Sequence, residues 1–206
     1  MQYLTSLLTV LGLATVALCA DVEIDARFYT NDNTDDGCDN YATGCTDLAE
    51  NSCCGVSQSG TRLYDSGDFY NTASGMGVMI QGKFFSRQNI NDCGVVVCNN
   101  IDAGTCCNEQ LSTLSGASYS RPSKKRDDGD VPQNTTCVAP DSHMWVESDK
   151  SYYIKIQNEH KHAAIMAMRE LGDFANLGLF MKANADQIKP EGLNDGPTFG
   201  GRFRRV

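Results

Sequence analysis

Two stretches of the chain, CTDLAENSCC at Cys45–Cys54 and CNNIDAGTCC at Cys98–Cys107, share one cysteine spacing. In each stretch one cysteine is followed by seven other residues and then by an adjacent cysteine pair. A further cysteine precedes each stretch, Cys38 in the first case and Cys93 in the second. Because the spacing is kept while the residues between the cysteines differ, the pattern indicates a duplicated unit whose cysteines are fixed by geometry.

The duplication extends upstream of the cysteines. VEIDARFYTNDN (Val22–Asn33) aligns without a gap on VMIQGKFFSRQN (Val78–Asn89). Apolar or small residues recur at every second position of both copies: Val22, Ile24, Ala26, Phe28 and Val78, Ile80, Gly82, Phe84. A period of two predicts half-buried strands. Since a solenoid needs at least ~3 repeats, we expect two halves of one β-structure, packed face to face with pseudo-twofold symmetry.

Disulfide bonds explain the retained cysteines. Adjacent cysteines on a strand point to opposite faces, and a bond between them requires a strained ring. Within the first repeat two pairings therefore stay open, in which Cys38 and Cys45 take Cys53 and Cys54 in either order. The second repeat offers the same choice to its four cysteines: Cys93, Cys98, Cys106 and Cys107. Each bridge is expected to contribute about 2–4 kcal/mol, and without zinc-type spacing we expect no metal or cofactor.

Residues 1–20 predict a secretory signal peptide and an extracellular protein. The stretch carries no charge, has an apolar run at Leu7–Leu18 and ends in small residues. A membrane anchor is the alternative, but the run is shorter than the ~20 apolar residues of a spanning helix. Cleavage after Ala20 is favoured, whereas cleavage after Ala17 would keep Cys19 in the mature chain.

The charge balance limits the partners. The 206-residue chain has 26 acidic and 17 basic residues, with a net charge of −9. An acidic protein is a poor ligand for nucleic acid and for anionic membranes. No later segment is apolar enough to cross a bilayer, so a soluble mature protein without a membrane span is predicted.

We expect three regions after the signal peptide. A duplicated cysteine-rich β-domain covers 21–111, with repeats at about 22–58 and 78–111, and a polar linker covers 112–136. The linker is rich in Ser, Pro, Gly and charge and poor in large apolar groups. It contains the dibasic stretch Lys124-Lys125-Arg126, which predicts cleavage by a kexin-type protease, with a solvated charge cluster as the alternative. It also contains Asn134, which begins a glycosylation sequon.

Residues 137–206 form a C-terminal tail with a strand and two short helices. Tyr152, Ile154 and Ile156 alternate as in a strand. Helical spacing follows at Ile165, Met168 and Leu171, with Gly172 as a natural C-cap and Asp173 as the cap of a second helix. The tail is too small for its own core and is expected to pack on the repeats. Its one cysteine, Cys137, is expected to stay unpaired, to form a dimer, to bond with a cysteine of a repeat, or to act as a tether to Cys19. The predicted fold class is therefore mainly β, with two tandem disulfide-stapled β-repeats packed as one sandwich and a small α+β tail.

Residues able to carry chemistry are few. The histidines His143, His160 and His162 could form a metal site with Glu159 or Asp141, although a solvated helix N-terminus is favoured for the last two histidines. Three acidic residues of the first turn could be solvated or bind calcium weakly rather than form a glycosidase pair: Asp35, Asp36 and Asp39. No catalytic motif is present in the sequence, and no catalytic residue is assigned.

The signal peptide, the vicinal cysteine pairs and the KKR stretch together resemble small secreted cysteine-rich fungal proteins of the effector and killer-toxin-like class. The strand openings Phe28-Tyr29 and Phe84-Phe85, leading into NDN and RQN turns, resemble βγ-crystallin-type Greek-key units over Val22–Cys107. The resemblance implies a secreted, non-enzymatic protein that acts on a host or competitor cell through loops that bind a cell-surface protein or glycan. The alternative is a secreted hydrolase or a cell-wall carbohydrate-binding protein.

Overall fold

The computed structural model describes residues 23–30, 37–56, 64–71, 79–88, 91–108, 113–122, 137–147 and 149–191. The strands of the two repeats are β1 (Ile24–Tyr29), β2 (Asn40–Cys45), β3 (Cys53–Gly55), β4 (Ser66–Asn71), β5 (Gln81–Gln88), β6 (Asn91–Ile101), β7 (Cys107–Asn108) and β8 (Gly116–Ser120). The C-terminal elements are β9 (Cys137–Val138), β10 (Ser142–Val146), β11 (Lys150–Lys155), α1 (Glu159–Glu170), α2 (Phe174–Asn184) and β12 (Gln187–Pro190). The mainly β fold class with a small helical part is confirmed.

The strands form two sheets, and the third strand of each repeat pairs in the sheet of the other repeat. The seven-stranded sheet has the order β12-β11-β10-β2-β1-β4-β7, and the five-stranded sheet has the order β6-β5-β8-β3-β9. Thus β7 of the second repeat joins the sheet of the first, and β3 of the first joins the sheet of the second. The orders β2-β1-β4-β7 and β6-β5-β8-β3 correspond strand for strand, which is the pseudo-twofold arrangement expected from a duplication.

The core between the two sheets is built from equivalent positions of both repeats. Phe28 of β1 and Phe84 of β5, which align in the sequence, meet edge to face with ring centroids 5.6 Å apart. Phe69 of β4 packs against the same Phe84 at 4.8 Å. All three rings are fully buried, so the alternation read from the sequence places the core correctly.

The disulfide pattern follows from the exchanged strands and differs from the expected pairing within repeats. Cys45–Cys54 and Cys98–Cys107 lie within their repeats and are equivalent to each other. Cys38 is bonded to Cys106 of the other repeat, because β7 adds to the sheet in which the first repeat begins. The expectation that Cys38 pairs with Cys53 or Cys54 is therefore wrong.

Cys53 also bonds outside its own repeat. Its contacts are Cys93 of the second repeat and Cys137 of β9. The bond to Cys93 is the symmetry counterpart of Cys38–Cys106. In both bonds the first cysteine of one repeat is joined to the first member of the adjacent cysteine pair of the other repeat. The predicted opposite orientation of the vicinal pair is seen at β3, where Cys54 bonds to Cys45 of β2 while Cys53 bonds to these other strands.

The predicted repeats end too early, and the predicted linker begins too early. Each repeat has a fourth strand, β4 or β8, beyond its expected end. Strand β8 (Gly116–Ser120) falls inside the predicted linker 112–136, and its Ala117 and Tyr119 are buried in the core. Both strands are rich in Gly and Ser, and so they lack the β-branched composition that marks a strand in sequence.

The C-terminal region completes the seven-stranded sheet rather than forming a separate layer. The strand β10 pairs with β2, β11 with β10, and β12 with β11, all antiparallel. The predicted strand at β11 and both predicted helices are present, with Asp173 accepting a hydrogen bond from the backbone amide of Asn176 at the start of α2. The strands β10 and β12 were not anticipated. No helix within the described ranges is long and apolar enough to span a bilayer.

We predict that the crossed disulfide will show in a double-mutant cycle. Cys38→Ala and Cys106→Ala should each lower the free energy of unfolding by about 2–5 kcal/mol, and the double variant by about the same amount, because both remove one bond. Urea denaturation of the three variants measures this. As a control, Cys38→Ala combined with Cys98→Ala should give nearly additive losses, since two bonds are then missing. Additive losses for the 38/106 pair would contradict the assigned connectivity.

Candidate functional site

Two of the three histidines meet where α1 crosses the seven-stranded sheet. The Nδ1 atom of His143 lies 2.6 Å from the hydroxyl of Tyr41, and its Nε2 atom lies 2.7 Å from Nδ1 of His162. The imidazole rings are nearly parallel, at 17°, with centroids 5.0 Å apart. These contacts make a continuous hydrogen-bonded chain from the core to the half-buried His162.

Strand register and helix spacing bring these residues together. His143 of β10 lies opposite Thr43 of β2, so its side chain shares a sheet face with the neighbouring Tyr41. On α1, His162, Ile165 and Arg169 follow the spacing i, i+3, i+7 and therefore face the sheet. Ile165 is completely buried there, together with Trp145, Ile154, Leu177 and Met181.

Arg169 is the buried cation of this cluster. Only 6% of the residue is exposed, and its guanidinium lies over the ring of Tyr41, 4.7 Å from the centroid, with the ring of Tyr64 at 6.0 Å. Although burial alone would lower the pKa of Arg169, the two tyrosines raise it. Burial also raises the pKa of Tyr41, against the opposing effect of Arg169. The cation is thus stabilised by aromatic faces and phenol oxygens.

His143 stays neutral at physiological pH. Burial, followed by the proximity of His162 and Arg169, lowers its pKa to about 3. A neutral imidazole has one donor and one acceptor nitrogen, which matches its two partners. A group with this pKa is a weak base at pH 7, and within the described part of the chain its hydrogen bonds reach neither a serine nor a cysteine. The cluster therefore provides a polar contact network without a nucleophile.

The metal site considered from the sequence is not assembled. His160 and Glu159 are exposed on the first turn of α1. Asp141 is occupied elsewhere, because its carboxylate accepts hydrogen bonds from the backbone and side chain of Thr46 at 2.9 and 2.6 Å and lies 2.8 Å from Lys155 Nζ. Among the residues that the structure describes, the group of three possible metal ligands is instead Cys53, Cys93 and Cys137.

A second polar cluster lies on the opposite face of the seven-stranded sheet. Arg27 of β1 forms a bidentate pair with Asp68 of β4, at 2.7 and 2.5 Å, and its third nitrogen lies 2.6 Å from Glu191. Although burial would lower the pKa of Arg27, these acids and Tyr29 hold it well above its usual value. Ser151 of β11 donates to the same Glu191 carboxylate.

This polar face is enclosed because the sheet curls until its ends approach each other. Tyr70 of β4 donates to the carbonyl of Pro190 in β12, although four strands lie between these two in the sheet. Nearby, Asp25 lies 2.9 Å from both Lys189 Nζ and the hydroxyl of Tyr153. The prediction that β1 is only half-buried is therefore wrong, since all six of its residues are buried. Sequence alternation missed this face because its residues are charged and polar.

Several predicted features lie outside the described residues. They are the signal peptide 1–20 with Cys19, the acidic residues Asp35 and Asp36, the dibasic stretch Lys124-Lys125-Arg126, and the sequon at Asn134. Asp39 is described and half-buried next to Cys38.

We predict that His143 makes stability fall in mild acid. Its pKa is about 3 in the folded protein and about 6.5 when unfolded, so below pH 6.5 the unfolded chain binds the proton first. Stability is complete above pH 6.5 and should fall by about 2 kcal/mol between pH 7 and pH 5 from this group. Urea denaturation should show that His143→Gln flattens this dependence, while His160→Gln, an exposed neighbour, leaves it unchanged. Equal pH slopes for wild type and His143→Gln would contradict the assignment.

We also predict that the buried ion cluster is essential to the fold. Arg27→Met leaves the carboxylates of Asp68 and Glu191 buried without their cation and should cost about 3–5 kcal/mol. The surface pair Lys150–Asp149, at 3.5 Å, provides the control, since Lys150→Met should cost less than about 1 kcal/mol. Thermal unfolding measured by circular dichroism distinguishes the two variants. Similar losses of stability for both would contradict the prediction that the Arg27 cluster is essential to the fold.

Comparisons with known proteins give one family. The family model ARB_05566_N, described as an N-terminal domain, matches residues 25–141. Neither the curated proteins nor the solved structures contain a match to the chain. The matched segment includes both repeats and β9 and ends just before β10. Since it spans 117 of the 206 residues, the chain belongs to the ARB_05566_N family.

Proposed function

We propose that the protein is a secreted, non-enzymatic effector or toxin-like protein that acts on a host or competitor cell by binding. The observation that carries this proposal is that the reactive side chains described above are paired with other groups inside the protein. His143 is neutral and buried, and the Arg27 and Asp25 clusters are closed by ion pairs and hydrogen bonds. Groups satisfied in this way hold a fold together, which leaves recognition to the surface.

The disulfides support a secreted location. Paired cysteines persist in oxidising compartments. Cys38–Cys106 joins the two repeats, and Cys45–Cys54 and Cys98–Cys107 each join the two sheets. A protein stapled in this way keeps its surface loops in place after release. The proposed cleavage by a kexin-type protease after Arg126 would occur during the same secretory passage.

The contact surface of this proposal is the outer edge of β6 with the loop that follows it. This strand is the edge of the five-stranded sheet, and its Val95 and Val96 are 48% and 45% exposed. Next to them Asn99 and Asn100 are exposed as well. An open strand edge offers backbone donors and acceptors, and exposed apolar side chains on it favour a protein partner.

A cell-surface protein is therefore the proposed partner in preference to a glycan. Sugar-binding surfaces usually present aromatic side chains, whereas the large exposed apolar residues within the described ranges are aliphatic or Met. The net charge of −9 favours a partner whose binding surface is basic. The resemblance of the repeats to βγ-crystallin-type units is supported by the two corresponding strand orders, β2-β1-β4-β7 and β6-β5-β8-β3.

The alternative is a secreted hydrolase or wall-binding protein that uses the His143–His162 pair. The half-buried imidazole of His162, at the outer end of the hydrogen-bonded chain, is the observation in its favour. Such a protein would depend on His162 and be indifferent to the β6 edge. Substitutions on the β6 edge and at His162 should therefore have opposite effects under the two functions.

We predict that purified mature protein causes cell death in plant tissue or growth arrest of fungal cells, and that Val95→Lys/Val96→Lys weakens the effect at least about tenfold, as expected when apolar interface anchors are lost. Leu179→Lys, at a still more exposed apolar position on α2, is the control and should keep full activity. His162→Asn should also keep it. Loss of activity in His162→Asn alone would instead support the hydrolase, and binding of isolated wall glycans by the wild type would support the wall-binding protein.

A further inference from the structure

A buried lysine and a buried aspartate meet across the enclosed polar face of the seven-stranded sheet. Nζ of Lys189 in β12 lies 2.9 Å from Oδ2 of Asp25 in β1. The Asp25 side chain is completely buried, and the Lys189 side chain is 9% exposed. The strands β11, β10 and β2 lie between β12 and β1 in the sheet. The contact therefore spans the curled face and joins the first and last strands of the described chain.

We propose that Lys189 and Asp25 condense to an intramolecular amide bond. Nζ transfers one proton to the carboxylate, and its lone pair then attacks Cγ of Asp25 to form the Nζ–Cγ bond. The Cγ–Oδ2 bond breaks, its electron pair leaves with Oδ2, and a second proton passes from the nitrogen to this oxygen. The ammonium and the carboxylate thus become one amide and one water molecule. The reaction needs no oxidant, reductant or other reactant.

The two oxygens of the Asp25 carboxylate have different partners, and these fit the two roles in the reaction. Oδ1 accepts the backbone N–H of Asp47 at 3.0 Å. A donor at this position stabilises the negative charge that develops on Oδ1 when Nζ attacks Cγ. Oδ2, the oxygen beside Nζ of Lys189, lies 2.9 Å from the hydroxyl of Tyr153. Oδ1 is therefore placed to remain as the amide oxygen, and Oδ2 is placed to leave as water.

Tyr153 of β11 contacts both reacting groups. Its hydroxyl donates to Oδ2 of Asp25, and Nζ of Lys189 lies over its ring, 4.7 Å from the centroid. Burial, followed by the charge of Asp25, raises the pKa of Tyr153, so the hydroxyl keeps its proton. It can donate this proton to the departing oxygen and accept one from the nitrogen, which makes it a general acid and base. Tyr153 is thus the catalytic residue of the proposed reaction.

The surroundings of the pair favour neutral reactants. Tyr153 packs with Tyr29, Met144 and Val146 in a buried apolar cluster. Removal of charges from water is costly, and proton transfer within the pair replaces two ions by an amine and a carboxylic acid. These are the forms from which an amide is made. The fold also holds the two groups in contact, which replaces the encounter that a reaction between separate molecules requires.

The pair formed by Lys155 and Asp141 provides a comparison within the same protein. Nζ of Lys155 lies 2.8 Å from Oδ2 of Asp141, which is as close as the contact in the buried pair. However, these two side chains are 42% and 36% exposed. Water can hydrate both ions, so this pair is expected to stay an ion pair.

The amide would join β1 to β12 by a bond that reducing agents do not break. It fixes the curl of the sheet, since the two strands are held together independently of strand pairing. If the chain is cut after Arg126, as proposed above, the amide keeps the two pieces covalently linked even when every disulfide is reduced.

Peptide mapping of the reduced and alkylated wild-type protein tests the proposal. Trypsin does not cleave before Pro190, so Lys189 stays within the peptide 183–202, and Asp25 lies in the peptide that ends at Arg27. Mass spectrometry should find these two peptides as one species, with their summed mass less one water molecule. Fragmentation should place the link between Asp25 and Lys189. The two peptides found only separately and at full mass would overturn the proposal.

Tyr153→Phe tests the mechanism with both reacting groups retained. Loss of the hydroxyl should lower the fraction of linked protein at a fixed time after synthesis at least about tenfold. Lys155→Met is the control, because it removes the lysine of the exposed pair and should leave this fraction unchanged. A folded Tyr153→Phe protein that links as fast as the wild type would contradict the mechanism.

Lys189→Arg is the negative control for the mapping. It keeps a cation beside Asp25 but should give only the two separate peptides. If Tyr153→Phe does not fold, as judged by circular dichroism, the wild-type map decides the question.

Discussion

The exchange of third strands between the two repeats is the constraint on which the rest of the structure depends. Strands β3 and β7 carry the adjacent cysteine pairs, and each completes the sheet of the other repeat. Neither repeat can complete its sheet without the third strand of the other, so the two repeats must fold together. The bonds Cys45–Cys54 and Cys98–Cys107 then connect each exchanged strand to the second strand of its own repeat, across the shared core. The cysteine spacing is retained because it fixes this exchange.

The buried charges depend on the same framework and extend it to the C-terminal region. Once β2 occupies its place beside β1, its outer edge is open to β10, and β11 and β12 follow. The sheet then curls until Glu191 reaches Arg27 and Pro190 reaches Tyr70. Buried ions tolerate few alternative arrangements because an unpaired one is costly. Strands β10, β11 and β12, which lie outside the family match, are thus an integral part of the sheet that the matched segment begins.

The disulfide-bonded strand exchange and the buried ion pairs both stabilise the interior of the protein. Covalent bonds and ion pairs hold the interior, where His143 and His162 also form a pair. The outer edge of β6, with its aliphatic side chains, is the surface that we propose for contact with another molecule. The group formed by Cys53, Cys93 and Cys137 stands apart from both. It breaks the symmetry between the repeats, since the described strands place no counterpart of Cys137 beyond β7 in the seven-stranded sheet. The asymmetry is a consequence of adding a C-terminal region to a duplicated body.

The sequence by itself determined the duplication, the strands that begin each repeat, the core phenylalanines, and the helices capped around Gly172 and Asp173. These features are local, because the spacing of apolar and capping residues sets them. Only the tertiary structure decided the disulfide partners, the strands β4, β8 and β10, and the meeting of His143 with His162 and of Arg27 with Glu191. Each of these depends on contacts between residues distant in the chain, and the Gly and Ser of β4 and β8 and the charges of Arg27 and Glu191 predict exposure rather than burial. Strand exchange determined the disulfide between the repeats, and the addition of β10 to β2 determined the contacts of the C-terminal region, because no local pattern records which sheet a strand will enter.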